Sequence, residues 1–269
     1  MHGRSAEALE AVLAKTDAVL DGGADAGRLG GDLFAIVRTL DGEHLLRRVI
    51  SDATVQEDAK SALFASVFEG KVSKAALEVG DEAVRERWSR SVDLVDALEE
   101  ASVAAQVARA AAEGALDQLE DDLFRFGRIL HGEPQLRDTL ADPASPQEGK
   151  EALLKDLLGD KVSAATLALL GQAVAGRART VAAALDHYQE LAAARRSKLV
   201  ATAWVAAPLD DDHKERLARA LSAQYDRDVH LNVIVDPSVL GGVRVAVGDE
   251  VIDSTVETRL KQLQRQMSH

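Results

Sequence analysis

The chain has 269 residues, with 32 basic and 45 acidic side chains and a formal charge of −13. That balance, with no dense Lys/Arg cluster, disfavours phosphate backbones and anionic lipid headgroups as partners. Cysteine is absent, which removes disulfides, thiol nucleophiles and Cys-based metal sites and fits a reducing, intracellular compartment. Hydrophobic residues make up 46% but aromatics only 3%, so Ala, Leu and Val must fill the core, which suits closely spaced helices.

Met1 to Glu7 lacks the apolar stretch of a signal peptide. Residues 5–196 read almost entirely as helix, with apolar positions at helical spacing in Leu9, Val12, Leu13, Val19 and Leu20, and again in Leu153, Leu154, Leu157 and Leu158. Breaks are expected at Asp21-Gly22-Gly23, Asp41-Gly42, Glu69-Gly70, His131-Gly132-Glu133-Pro134 and Asp142-Pro143. The Gly-rich segment from Gly22 to Gly31 reads as a loop between helices, without the Lys-Ser/Thr of a phosphate loop.

This half repeats itself at an offset of 90 residues. Asp32-Leu33-Phe34 recurs as Asp122-Leu123-Phe124, and Arg38, Leu40, Gly42 and Glu43 recur as Arg128, Leu130, Gly132 and Glu133. Lys60 matches Lys150, Lys71-Val72-Ser73 matches Lys161-Val162-Ser163, and fainter matches include Arg87/Arg177 and Asp96/Asp186. Chance agreement between Ala-rich helices would match Ala and Leu, not Gly, Lys, Arg and Asp in register. The expected organisation is two tandem, similar helical bundles, residues 1–92 and 93–197. One continuous helix over 88–113 ends the first copy and begins the second.

Arg195-Arg196-Ser197-Lys198 reads as a solvated helix end, its cations facing the negative end of the dipole. From residue 198 to 269 the texture becomes that of a small α/β domain, so the fold class is α+β, mostly α. Leu199 to Leu209 is the longest apolar stretch, far short of the ~20 residues that span a bilayer. Leu199 to Ala206 reads as a strand ended by Pro208; Leu209 to Tyr225 reads as a helix, with Asp210-Asp211-Asp212 in its first turn. Val229–Val235, Gly242–Gly248 and Glu250–Ile252 read as further strands, with a tight turn at Gly248-Asp249. A last helix from Ser254 to Met267 carries Val256, Leu260, Leu263 and Met267 on one face.

Chemistry is hard to find along the chain. The histidines stand apart, and Asp210-Asp211-Asp212-His213 points its side chains in different directions, so helix capping is preferred to a metal site. No helix follows Gly241-Gly242, so a nucleotide cradle is not supported; the glycines suit positive φ or close backbone approach. No metal or cofactor is expected. Two other readings are a helical RNA- or DNA-binding protein, opposed by the charge, and an enzyme using Asp253 and Ser254. The latter pair is better explained as the cap of the last helix.

The segment Val235-Asp236-Pro237 through Gly241-Gly242, the alternating strand, Gly248, Ile252-Asp253-Ser254 and the spaced Leu260 and Leu263 closely resembles the C-terminal signature of F-type ATP synthase delta subunits, the oligomycin-sensitivity-conferring protein family. Thr255 follows Ser254 where that family often has Gly before the Ser. Thr202 to Leu209 and the helical stretch 93–196 are similar to the family as well; residues 1–92 look like a duplicate of its bundle. The resemblance implies a non-catalytic stator subunit that joins the catalytic head to the peripheral stalk. It implies two partners, the N-terminal helices of alpha subunits and the C-terminal region of the b subunit. It places the chain on the cytoplasmic face of the cell membrane, held there only through the complex. By family analogy the alpha helix lies in a groove between residues of about 95–113 and 161–175. The resemblance gives the first copy no separate role.

Overall fold

The computed structural model describes the chain except for residues 1–2, 143, 176, 178–179, 198, 226–228, 238, 240–241, 248–249 and 254–269. The last helix expected from the sequence lies outside the described residues. Two compact units divide between Arg195 and Arg196. The first is all helix: α1 Arg4–Asp21, α2 Ala26–Gly42, α3 His44–Ile50, α4 Glu57–Phe68, α5 Lys74–Arg85, α6 Ser91–Ala112, α7 Leu116–Gly132, α8 Pro134–Ala141, α9 Gln147–Leu158, α10 Ala164–Val174 and α11 Val181–Ser197, which runs across the division.

The sequence offset reappears in these bounds. Helices α2 to α5 and α7 to α10 begin 90 residues apart, member by member, and α6 stands to α1 as α11 stands to α6. Helix α6 is therefore the sixth helix of one copy and the first of the next. Leu94, Val95, Leu98 and Ala101 sit in the core of the first copy, while Val103, Val107 and Ala110 sit in that of the second. Burial on every side explains why α6 is rich in Ala rather than amphipathic.

The matched polar residues turn out to cap the same helix in each copy. Asp32 accepts the Ser73 backbone N–H at 2.7 Å at the N-terminus of α5, while Ser73 itself caps Ala76. At the other end the buried Lys60 donates its Nζ to the Glu86 carbonyl at 3.5 Å. In the second copy Ser163 caps Thr166, Asp122 accepts from the Thr166 hydroxyl, and the Lys150 Nζ donates to the Val174 carbonyl. A carboxylate at the positive end and an ammonium at the negative end both satisfy orphan backbone groups and oppose the dipole favourably. That is a physical reason for Asp, Ser and Lys to stay in register when most of the surface has diverged.

One expectation is overturned. Residues 26–31 are helix, not loop: Asp25 caps α2 by accepting the Arg28 N–H at 2.7 Å, and the glycines lie inside its first turns. Their role is close approach to α6. The Ser102 hydroxyl donates to the Gly30 carbonyl at 2.6 Å, and Gln106 donates to the Gly27 carbonyl at 3.1 Å. A Cβ on Gly30 would stand 2.5 Å from the Gln106 amide nitrogen. A punctuation rule reads such glycines as a break because it cannot see the helix they pack against.

The second unit is a four-stranded sheet of order β2-β1-β3-β4, built from β1 Leu199–Val205, α12 Asp211–Tyr225, β2 Val229–Val235, β3 Val243–Val247 and β4 Glu250–Asp253. β1 and β2 are parallel, joined through α12, while β1 with β3 and β3 with β4 are antiparallel. Ala201, Ala203, Leu221, Val229 and Val245 form its core. The helix begins later than the sequence suggested because Asp210 is its cap, accepting the His213 N–H at 2.8 Å. This bond and the His213 ring hold the Asp210 carboxyl below its ordinary value. The chain as a whole is mostly α with a small α/β part, and no helix among its described residues is long and apolar enough to cross a membrane.

Candidate functional site

The residues singled out in the C-terminal signature are placed as follows. Asp236 donates its N–H to the Val205 carbonyl at 2.8 Å and accepts the Val239 N–H at 3.1 Å, so it fastens the end of β2 to β1. Pro237 is exposed in the turn after it. Gly242 has φ of 109°, a conformation few side chains tolerate, immediately before β3. Asp253 closes β4 opposite Arg244, whose guanidinium lies 5.7 Å from the Trp204 ring centroid. Gly241, Gly248, Ser254 and Leu260 lie outside the described residues. The described part of the signature thus sets strand ends and a turn.

Among its described residues the helical unit offers two furrows and a buried polar cluster. The furrow between α6 and α10, the groove expected from the family, holds a helix already. Helix α2 runs along α6 and touches α10, and its Phe34, only 5% exposed, belongs to the same apolar cluster as Val103, Val107, Leu154 and Leu169. Arg38 on α2 reaches Glu151 on α9 at 3.3 Å. The matching furrow of the first copy lies between α1 and α5. It is flanked by the partly buried Leu9, Leu13 and Leu77 and bridged by Lys15 to Glu78 at 3.2 Å.

A polar knot closes the junction between the copies. Arg177, 11% exposed, follows α10 and bonds Asp96, Glu99 at 2.9 Å and Asp41 at 3.5 Å. Burial alone would lower its guanidinium, but Glu99, Asp96 and Asp41 outweigh that and raise it. Burial in turn raises the Asp41 carboxyl against the pull of Arg177 and Arg47. Gln172 donates to Glu99 at 3.1 Å, and His187 meets Glu100 at 2.6 Å beside a cavity of about 290 Å³. Carboxylates held by guanidinium, amide and imidazole in this way lock helices together. Sequence reading matched Arg177 to Arg87 and Asp96 to Asp186 but gave neither a task. Arg195, read as a solvated cation, instead pairs with Asp17 on α1 at 2.9 Å.

Comparison with known proteins agrees with the residue-level resemblance. The family model described as "ATP synthase delta (OSCP) subunit" matches residues 101–267. A protein named ATP synthase subunit delta from Thermobifida fusca is 42% identical over 269 residues, covering 100% of each chain. One from Streptomyces avermitilis is 41% identical, covering 99% of this chain and 98% of that one. Among solved structures, a chain of the Toxoplasma gondii mitochondrial ATP synthase hexamer covers 62% of this chain and 96% of its own at 21% identity. Its TM-score of 0.29 is too low to speak to the fold.

Proposed function

As the chain belongs to the ATP synthase delta (OSCP) subunit family, a non-catalytic component of the F-type enzyme, we propose that it is the stator adaptor, tying the catalytic head to the peripheral stalk on the cytoplasmic face of the membrane. The observation that carries the reading is similarity to delta subunits from end to end, first copy included. The physical design is consistent with it. Two helix bundles share α6, are pinned by Arg177, and cap matching helices with matching polar side chains. A part of this kind transmits force and holds partners.

In this reading the helical unit takes an amphipathic helix from the N-terminus of an alpha subunit by helix-in-groove docking, and residues 198–269 meet the C-terminal region of b. The 1–92 and 93–197 stretches act as one doubled bundle. Because α2 fills the furrow between α6 and α10, the furrow between α1 and α5 is the better place for the alpha helix. Membrane association comes through the complex.

The experiment is a pull-down from detergent-solubilised membranes with the full chain as bait, followed by mass spectrometry. Recovery of alpha, beta and b is expected. A Leu77→Arg variant should lose alpha and beta while keeping b. Recovery of RNA or unrelated proteins in their place would overturn the stator reading; unchanged alpha recovery by the variant would overturn the assignment to α1 and α5.

A further inference from the structure

The two copies differ in what covers one face, and the difference points to an unfilled docking site. On the first copy the face made by α2 and α6 receives the second copy. Phe34 is buried against it, Arg38 pairs with Glu151, and Asp41, Asp96 and Glu99 hold Arg177. The helix seated there presents Ala164, Leu167, Ala168 and Gly171 around the Phe34 groove, an i, i+3, i+4, i+7 stripe of small residues and leucine.

Ninety residues on, the same face recurs on α7 and α11, with no helix seated on it among the described residues. Phe124, repeat mate of Phe34, is 55% exposed. It lines an open groove of about 440 Å³ with Gly127, Arg128, His131, Leu185 and Asp186. Gly127 stands where the first copy has Val37, and a Cβ there would meet only Leu185 at 3.9 Å, so the groove has a hollow floored by leucine. Asp117 and Glu120 replace Gly27 and Gly30, the residues that let α2 settle on α6. Stacked repeats normally end in a polar capping surface, and at the opposite end of this pair charged residues surround Leu77, the mate of Leu167. On α5, Lys74, Glu78, Asp81 and Glu82 replace Ala164, Ala168, Gly171 and Gln172. Three of them are tied into ion pairs, Lys74 to Glu78 and Asp81 to Arg85.

We propose that the groove between α7 and α11 binds one amphipathic helix of a partner polypeptide, in the manner of α10 on the first copy. Its chemistry follows from the lining. The partner presents small residues and leucine at i, i+3, i+4 and i+7 over Phe124 and Gly127. A single Lys or Arg past its C-terminal end meets Asp186. One cation suffices because His131 and Gln189 stand where the first copy has Asp41 and Glu99. A second copy of this chain is a poor occupant, since its matching stripe on α5 has Lys74, Glu78 and Asp81 in place of Ala164, Ala168 and Gly171.

The test places the photo-cross-linker p-benzoylphenylalanine at position 124 of the full chain in cells and maps the products by mass spectrometry. The expected product joins residue 124 to a helical segment of another polypeptide bearing that stripe and a basic residue. A Gly127→Leu change, which fills the hollow on a helix position that tolerates side chains, should lower the yield at least tenfold. The thermal unfolding midpoint should not fall. No intermolecular product, products only within residues 196–269 of the same chain, a partner segment without the stripe, or a yield insensitive to Gly127→Leu would each overturn the proposal. Whether the partner is an ATP synthase subunit bears on the stator reading and not on this one.

Discussion

Phe34 and Phe124 are the same residue at the same repeat position, and alanine at each gives a matched pair of experiments. Deleting a buried phenylalanine side chain costs about 3–5 kcal/mol, most where the site cannot collapse. Phe34 is 5% exposed but borders an open groove of about 400 Å³, so water and side chains can relax into the space. Phe34→Ala should therefore sit at or just under the low end, about 2–3 kcal/mol. Phe124 keeps 55% of its exposure, so Phe124→Ala should cost less than about 1 kcal/mol. The assay is urea unfolding of the full chain in a Trp204→Phe background, which leaves Trp88, buried in the first copy, as the sole tryptophan reporter. For an m-value of about 2.5 kcal/mol/M the Phe34→Ala midpoint should fall by about 1 M, and that of Phe124→Ala by less than half as much. Equal shifts, or a larger one for Phe124→Ala, would refute the placement of the second copy over Phe34.

Other expectations follow from the polar groups. Arg177→Met should destabilise by about 2–4 kcal/mol, because Asp41, Asp96 and Glu99 lose their shared partner while partly buried. Arg87→Met, at the exposed repeat mate, should change the same urea midpoint little. For Asp93, burial would raise the carboxyl, but Arg90 and the Ser5 hydroxyl, at 2.8 Å, hold it below the ordinary range. A depressed folded value contributes stability above the unfolded value and loses it as pH falls through the folded one. Asp93→Asn should thus cost about 1–2 kcal/mol at pH 7. That gap should shrink as pH falls below about 4, the ordinary carboxylate value; a gap constant with pH would refute the ionic role.

Much of the architecture is written in local signals. Helical spacing, the C-terminal strands and the cap at Asp210 were legible because they depend on neighbours a few residues away. The repeat was legible because Asp32, Ser73 and Lys60 cap the same helix in each copy and so resist drift. Gly27 and Gly30 were misread because their reason lies on α6, more than 70 residues away. The occupancy of the faces was hidden more deeply still. Phe34 and Phe124 share the preceding Asp-Leu and an Arg four residues on, yet one is buried and the other exposed, since burial here depends on whether another copy follows. The family's groove was expected between α6 and α10, but an analogy drawn from one bundle has no α2 of a preceding copy, which here lies against both helices.

The shared helix α6 also sets how such a chain can grow or shrink. Where domains are beads on a string, a whole bead with its linker can be gained or lost, and each bead melts alone. Here no cut point exists between the copies, because every turn of α6 contributes to one hydrophobic interior or the other. The quantum of change is instead ninety residues taken from any phase, five helices at a time, with the sixth always borrowed from the neighbour. Two copies joined through α6 are therefore expected to unfold together rather than one after the other.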